Sequence, residues 1–163
     1  MRVFEIEKVK EAVGAILESE FFGEMLLYKA VLYNAYRTEI SGNVNRDFFD
    51  TEDMGQHSVE IEDGFVKWNT CKGTFFQAMR GKTLPLSFDI SLIMPRQSIE
   101  AMVRGSGALI NSNDITSVGL NIRYRRDSFV ITSIVSKQGF NPDKSFDEYW
   151  DGVVAGFLNK LDT

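Results

Sequence analysis

Val118-Gly119-Leu120-Asn121-Ile122-Arg123-Tyr124-Arg125-Arg126-Asp127-Ser128-Phe129-Val130-Ile131 is the stretch on which the fold turns. Apolar Val118, Leu120, Ile122 and Tyr124 occupy every second position, and Phe129 and Ile131 resume the alternation after Arg126-Asp127. A period of two marks a strand with one buried and one solvated face. Folding the chain at Arg126-Asp127 sets Tyr124 opposite Phe129 and Ile122 opposite Ile131, which predicts a β-hairpin. Arg-Asp is not a preferred pair for a tight primed turn, so a loop longer by a residue or two is expected. The same alternation sends Asn121, Arg123 and Arg125 to the opposite face.

The pattern extends outward from this hairpin. Upstream, Phe88, Ile90, Leu92 and Met94 alternate with Ser87, Asp89 and Ser91 in a second clear strand that stops at Pro95. Between the two, Ile99, Met102 and Val103 give a short helix from about Ser98 to Arg104, stopped by Gly105-Ser106-Gly107. Thr70 to Met79 reads as a helix with Cys71, Phe75 and Met79 on one side, anchored by Trp68 and closed by a left-handed Gly81. Toward the N-terminus a short strand at Arg2–Ile6 precedes an amphipathic helix from Lys8 to Ser19 with Val9, Val13, Ile16 and Leu17 inward. Met25 to Ile40 reads as strand, and Ser41-Gly42-Asn43 as a turn into a further strand at Val44–Phe49. After Asn141-Pro142, Ser145-Phe146-Asp147-Glu148 forms a capping box for a last helix running to about Leu161. Its inward stripe is Phe146, Trp150, Val153, Val154, Phe157 and Leu161.

The expected fold is therefore α+β: a single domain over residues 1–163, with a mainly antiparallel sheet covered on one face by the first, Thr70 and C-terminal helices. The order strand, helix, strand, strand occurs in Arg2–Phe49 and again in Ser87–Val135, suggesting a duplicated β-α-β-β unit. By fold-level analogy alone, such a duplication brings sliding-clamp-like DNA-associated domains into view.

A length of 163 residues suits one core, and 44% hydrophobic with 25% charged residues excludes disordered and low-complexity classes. One cysteine excludes an intramolecular disulfide. The acidic N-terminus lacks a signal-peptide core, and no window is apolar enough to span a membrane, so a cytoplasmic protein without membrane contact is expected. Net charge is −5, but it is unevenly laid out. Asp47 to Asp63 holds seven acidic residues and no Lys or Arg, whereas residues 80–126 hold seven basic residues against three acidic ones.

Most catalytic chemistry lacks its residues. Gly81-Lys82-Thr83 misses the first glycine of a phosphate-binding loop, and Gly105-Ser106-Gly107 ends a helix where a dinucleotide site opens one. One Cys and one His cannot hold tetrahedral zinc. His57 lies in the most polar segment, and Cys71 sits on an apolar helix face, where an inert thiol is expected. No cofactor is implied. What stands out is the small basic, hydrogen-bonding patch of Asn121, Arg123 and Arg125. It suits an acidic partner or a phosphate backbone, although the acidic total argues against nucleic acid; the alternative is that these arginines pair with the protein's own acidic segment or keep an outer sheet face soluble. A non-enzymatic binding or assembly module is the leading expectation. The contrasting one is a small-molecule-binding domain or enzyme whose pocket is closed by the acidic loop, with Asp50, Glu52 or Asp53 as acid-base groups.

Several runs together resemble an uncharacterised clostridial family of about this length. They are Lys29-Ala30-Val31-Leu32-Tyr33 to Ile40-Ser41-Gly42, Gly81-Lys82-x-Leu84-Pro85-x-Ser87-Phe88, Leu120-Asn121-Ile122-Arg123-Tyr124, and Ser145-Phe146-x-Glu148-x-Trp150-Asp151 with Phe157-Leu158-x-Lys160. Two departures are Ser41, where that family tends to carry Asp, and Arg126-Asp127-Ser128, where it tends to carry an acidic Gly-containing turn. The resemblance implies a single bacterial cytoplasmic domain and carries no activity, cofactor or catalytic residue.

Overall fold

A computed structural model of the chain describes residues 1–48 and 61–161. The expected hairpin is its centre: β7 (Ile115–Arg125) pairs antiparallel with β8 (Ser128–Lys137), Tyr124 facing Phe129 and Ile122 facing Ile131. Only Arg126 and Asp127 separate the strands, so the turn is shorter than expected, and neither residue has positive φ. Two long strands whose inward residues are apolar except for Ser133 hold their register without help from an ideal turn pair.

Four more strands complete one antiparallel sheet in the order β1-β8-β7-β6-β2-β3: β1 (Val3–Glu5), β2 (Leu26–Tyr33), β3 (Arg37–Ser41) and β6 (Ser87–Ile93). The long segment read as strand from Met25 to Ile40 is in fact a hairpin, turning at residues 34–36. There the Asn34 amide N–H donates to the Tyr36 carbonyl and its side chain donates to the Ala78 carbonyl. Nor do residues 44–48, the described part of the expected Val44–Phe49 strand, form one. Residues 46–48 make a 3₁₀ turn, and 49–60, which hold Asp50, Glu52, Asp53 and His57, lie outside the described residues. A two-stranded hairpin, β4 (Ile61–Glu62) and β5 (Phe65–Val66), turns on Asp63 and Gly64 with φ of 52° and 80°. Positive φ at both central residues matches the primed turn that Asp-Gly favours.

The chain repeats β-α-β-β, but the two copies are not equivalent in space. β6 pairs directly with β7, whereas β1 lies at the far edge beside β8 and never touches β2. The clamp analogy has no topological support.

One sheet face carries the helices α1 (Val9–Glu18), α2 (Glu20–Gly23), α3 (Trp68–Met79), α4 (Arg96–Ser106) and α5 (Ser145–Leu161). A single cluster joins Ile16, Phe75, Ile90, Ile122, Ile131 and Val154. Helix faces are rotated slightly from the sequence reading: α1 buries Ala12 and Ile16 while Val9 is exposed, and α5 buries Leu158 rather than Leu161. Two fully buried tryptophans lock the layers. Trp68 Nε1 donates to the Ile16 carbonyl at 2.7 Å, and Trp150 Nε1 donates to the Gly119 carbonyl at 3.0 Å.

Two helix ends differ from expectation. Gly81 is not left-handed, and α3 simply runs into extended Arg80. At α5, Ser145 is already helical and donates its backbone N–H to Asp143 Oδ1 at 2.8 Å, so Asp143 does the capping. The Ser145 hydrogen bonds, helped by nearby Lys137, hold the Asp143 carboxyl below the usual carboxylate range.

Two outcomes follow. Gly119→Ala places a Cβ 2.1 Å from the Leu92 carbonyl oxygen, forcing β6 and β7 apart, and should cost about 2–3 kcal/mol in urea unfolding; unchanged stability would show that the strands are not this close. Because the Asp143 carboxyl is depressed in the folded state, its contribution is present above the unfolded value and lost as pH falls through the lower folded one. Asp143→Ala should therefore be less stable than wild type at neutral pH, with the difference shrinking as pH drops below about 4. A pH-independent difference would contradict this.

Candidate functional site

Alternation gives the sheet a second face, and among the described residues no helix covers it. The register sorts its side chains into rows that cross the strands. Nearest the β7–β8 turn lie Arg37, Tyr33, Ser87, Arg125 and Ser128. The next row is Glu39, Val31, Asp89, Arg123, Val130 and Glu5, followed by Ser41, Lys29, Ser91, Asn121, Thr132 and Val3. The last is Leu26, Ile93, Gly119 and Ile134. Leu26 faces outward yet is fully buried, because the stretch after β5 crosses this corner and Lys67 bridges Leu26.

Asn121, Arg123 and Arg125 therefore share the open face, as expected, but their roles differ. Arg125 Nη2 donates to both Asp89 oxygens, at 3.0 and 3.3 Å, and its Nη1 donates to the Tyr124 carbonyl at 2.7 Å. Its donors are largely spent within the fold. Arg123 uses only Nε, at 3.0 Å from Asp89 Oδ1, and its side chain is 64% exposed. Both of its outer amino groups point away from any hydrogen-bond partner among the described residues. Asn121 accepts from Ser91 Oγ at 2.9 Å through Oδ1, which leaves its NH₂ as a donor. One carboxylate shared by two guanidinium groups leaves the cluster with one net positive charge. The partner of these arginines is thus Asp89, a strand neighbour, rather than a described member of the acidic segment.

On the β3 edge the charges are mutually paired. Arg37 Nε donates to the Tyr33 hydroxyl at 3.1 Å and Nη2 donates to Glu39, which also meets Lys29 at 3.4 Å. The Arg37 hydrogen bond draws the Glu39 carboxyl below its usual range, and the bond Arg37 donates to the Tyr33 hydroxyl raises the guanidinium further.

Two shallow depressions indent the face. One, of about 350 Å³, surrounds Asp89, Ser91, Asn121 and Arg123 between the flanking Val130 and Thr132. The second, of about 440 Å³, has Gly119 in its floor and Tyr28, Phe65, Ile93 and Ile134 as walls; both include Ser91 and Asn121. A β-bulge at Leu27/Lys29 turns Tyr28 to the outer face beside Lys29, where its ring lies 6.1 Å from that of Phe65. These two aromatics were missed in the sequence because nothing local signals a bulge.

Cys71 is half-buried in α3, and burial pushes its thiol up, away from the thiolate a nucleophile needs. No described helix is long and apolar enough to cross a membrane.

Exposed ion pairs contribute about 0–1 kcal/mol each. The double variant Arg123→Ala/Arg125→Ala should therefore stay folded, with a stability loss of no more than about 2 kcal/mol by chemical denaturation. A collapse of the fold would make the cluster structural.

The chain matches no curated protein and no solved structure. A family model described only as a family of unknown function (DUF5721) matches residues 15–163, from within α1 to the C-terminus, and the chain belongs to that family.

Proposed function

We propose that this protein is a non-enzymatic binding module whose open sheet face takes an acidic segment of another protein. The observation that supports this reading most is the unequal use of donors around Asp89. Arg125 holds the carboxylate in place, while Arg123 and Asn121 present unspent N–H groups on one exposed face. On neighbouring same-face positions of β7 these groups are about 7 Å apart, a spacing that a carboxylate and an adjacent backbone carbonyl can meet together. The local positive charge of the cluster complements a carboxylate at contact range, where it outweighs the screened repulsion from the chain's total of −5. A sheet face lined by short polar side chains is also more accommodating than the charged β3 edge, where Arg37 and Glu39 disfavour strand addition.

A fluorescently labelled glutamate-rich peptide tests the reading by anisotropy. Wild type should bind it, more weakly as salt rises. Arg123→Ala should weaken binding about fivefold, and Asp89→Asn, which removes the competing carboxylate, should strengthen it. Equal affinity for all three proteins would rule this face out.

A further inference from the structure

The two depressions form one trough along β6 and β7, and its chemistry changes from end to end. At one end Tyr28, Phe65, Ile93 and Ile134 surround the bare backbone of Gly119. At the other stands the Arg123 guanidinium. Between them lie Ser91 and Asn121, common to both depressions. The trough lies where it does because the outward residues of its floor are small, Ser91 on β6 and Ser117 and Gly119 on β7, while β2 and β8 raise Tyr28, Thr132 and Ile134 on either side. A side chain cannot replace the hydrogen at Gly119, since a Cβ there meets the Leu92 carbonyl oxygen. The apolar end therefore has no side chain in its floor at this position.

We infer that the trough binds an extended peptide carrying a bulky apolar residue and, four residues away, a carboxylate. This rests on the reading of the open face as a site for an acidic segment, and adds its anchor and its spacing. Gly119 and Arg123 are four residues apart on β7 and share a face, so socket and guanidinium are separated by about 13 Å. An extended ligand has the same rise and the same alternation, so its residues i and i+4 span that distance with both side chains toward the sheet. Residues i and i+3 point to opposite sides and cannot serve both ends.

An extended ligand fits better than a helical one. A helix satisfies its own backbone groups, whereas an extended chain lying on a sheet face needs donors and acceptors from its host. Asn121 and Ser91 offer them midway along the trough, and the Asn121 amide has two N–H groups to give. At the socket, Tyr28 is 53% exposed and its ring is tilted against that of Phe65 at 6.1 Å, so an aliphatic side chain entering there covers aromatic surface that is now wet.

Calorimetric titration with three synthetic peptides, otherwise built of Gly, Ser and Thr, is the test. The first carries Leu and Asp four residues apart, the second carries them three apart, and the third has Ser for Leu. The first should bind at least about tenfold more tightly than either of the others, the gain expected from burying one aliphatic side chain. Ile134→Lys and Tyr28→Ala, each at the socket rim, should reduce the first peptide to the affinity of the third and leave the third unchanged. If all three peptides bind equally and lose affinity on Arg123→Ala, the anchored-peptide inference falls while the acidic-segment reading stands. If none binds, both fall.

Discussion

Strict alternation across three paired strands, β6, β7 and β8, is the constraint from which the rest follows. Their inward rows interlock: Phe88 stacks on Tyr124 at 5.1 Å and meets Phe129 edge-on at 5.9 Å, while Phe75 from α3 closes over Phe88 at 5.8 Å. A slip of one residue in β7 would turn Leu120 and Ile122 to water and drive Asn121 and Arg123 into the core. The cost of burying an unpaired guanidinium far exceeds anything the slip could recover. Core and outer face are thus settled together, and the positions of Arg123 and Asp89 are a consequence of where Ile122 and Ile90 must go.

That constraint also explains why the helices gather on one side. Trp150 on α5 needs an acceptor for its buried indole N–H and finds the Gly119 carbonyl, so α5 docks over the middle of β7. Trp68 on α3 does the same with α1 through the Ile16 carbonyl. At the β1 edge, the buried Ser133 hydroxyl accepts from the Arg2 backbone N–H at 3.0 Å and donates to Asp151 of α5, while the Ser133 backbone N–H donates to the Arg2 carbonyl at 3.0 Å. Among the described residues the opposite face has no such devices. Its central positions are Ser87, Asp89, Ser91, Asn121 and Arg123, which bury too little apolar area to hold a further layer of this chain. What it keeps is a polar floor with one apolar corner, an arrangement suited to reversible contact.

Much of this was legible from residue order. Period-two runs around Ile90, Ile122 and Ile131 placed three strands, the register of the β7–β8 pair and the outward set Asn121, Arg123 and Arg125, because alternation is a local signal that packing only reinforces. Asp63-Gly64 between Ile61 and Phe65 was a legible hairpin signal overlooked amid the acidic run. The turn at Asn34 was harder to see, since its side chain is engaged by the Ala78 carbonyl, far away in sequence. Helix capping by Asp143 rather than Ser145 turned on a shift of two positions between residues of similar capping tendency. The pairing of both arginines with Asp89 depends on inter-strand register and the Tyr28 socket on a bulge, and neither is written in local sequence.

The account's central claim is that one sheet face supports the fold while the other meets a ligand. Methyl-resolved NMR separates them most directly, because isoleucines mark both faces: Ile93 and Ile134 look outward, Ile90 and Ile131 inward. Titrated with an acidic peptide bearing a leucine four residues from its aspartate, the protein should show shifts at the Ile93 and Ile134 methyls that saturate together, while Ile90 and Ile131 stay nearly still. Shifts confined to the helical layer, or spread equally through the core, would contradict it.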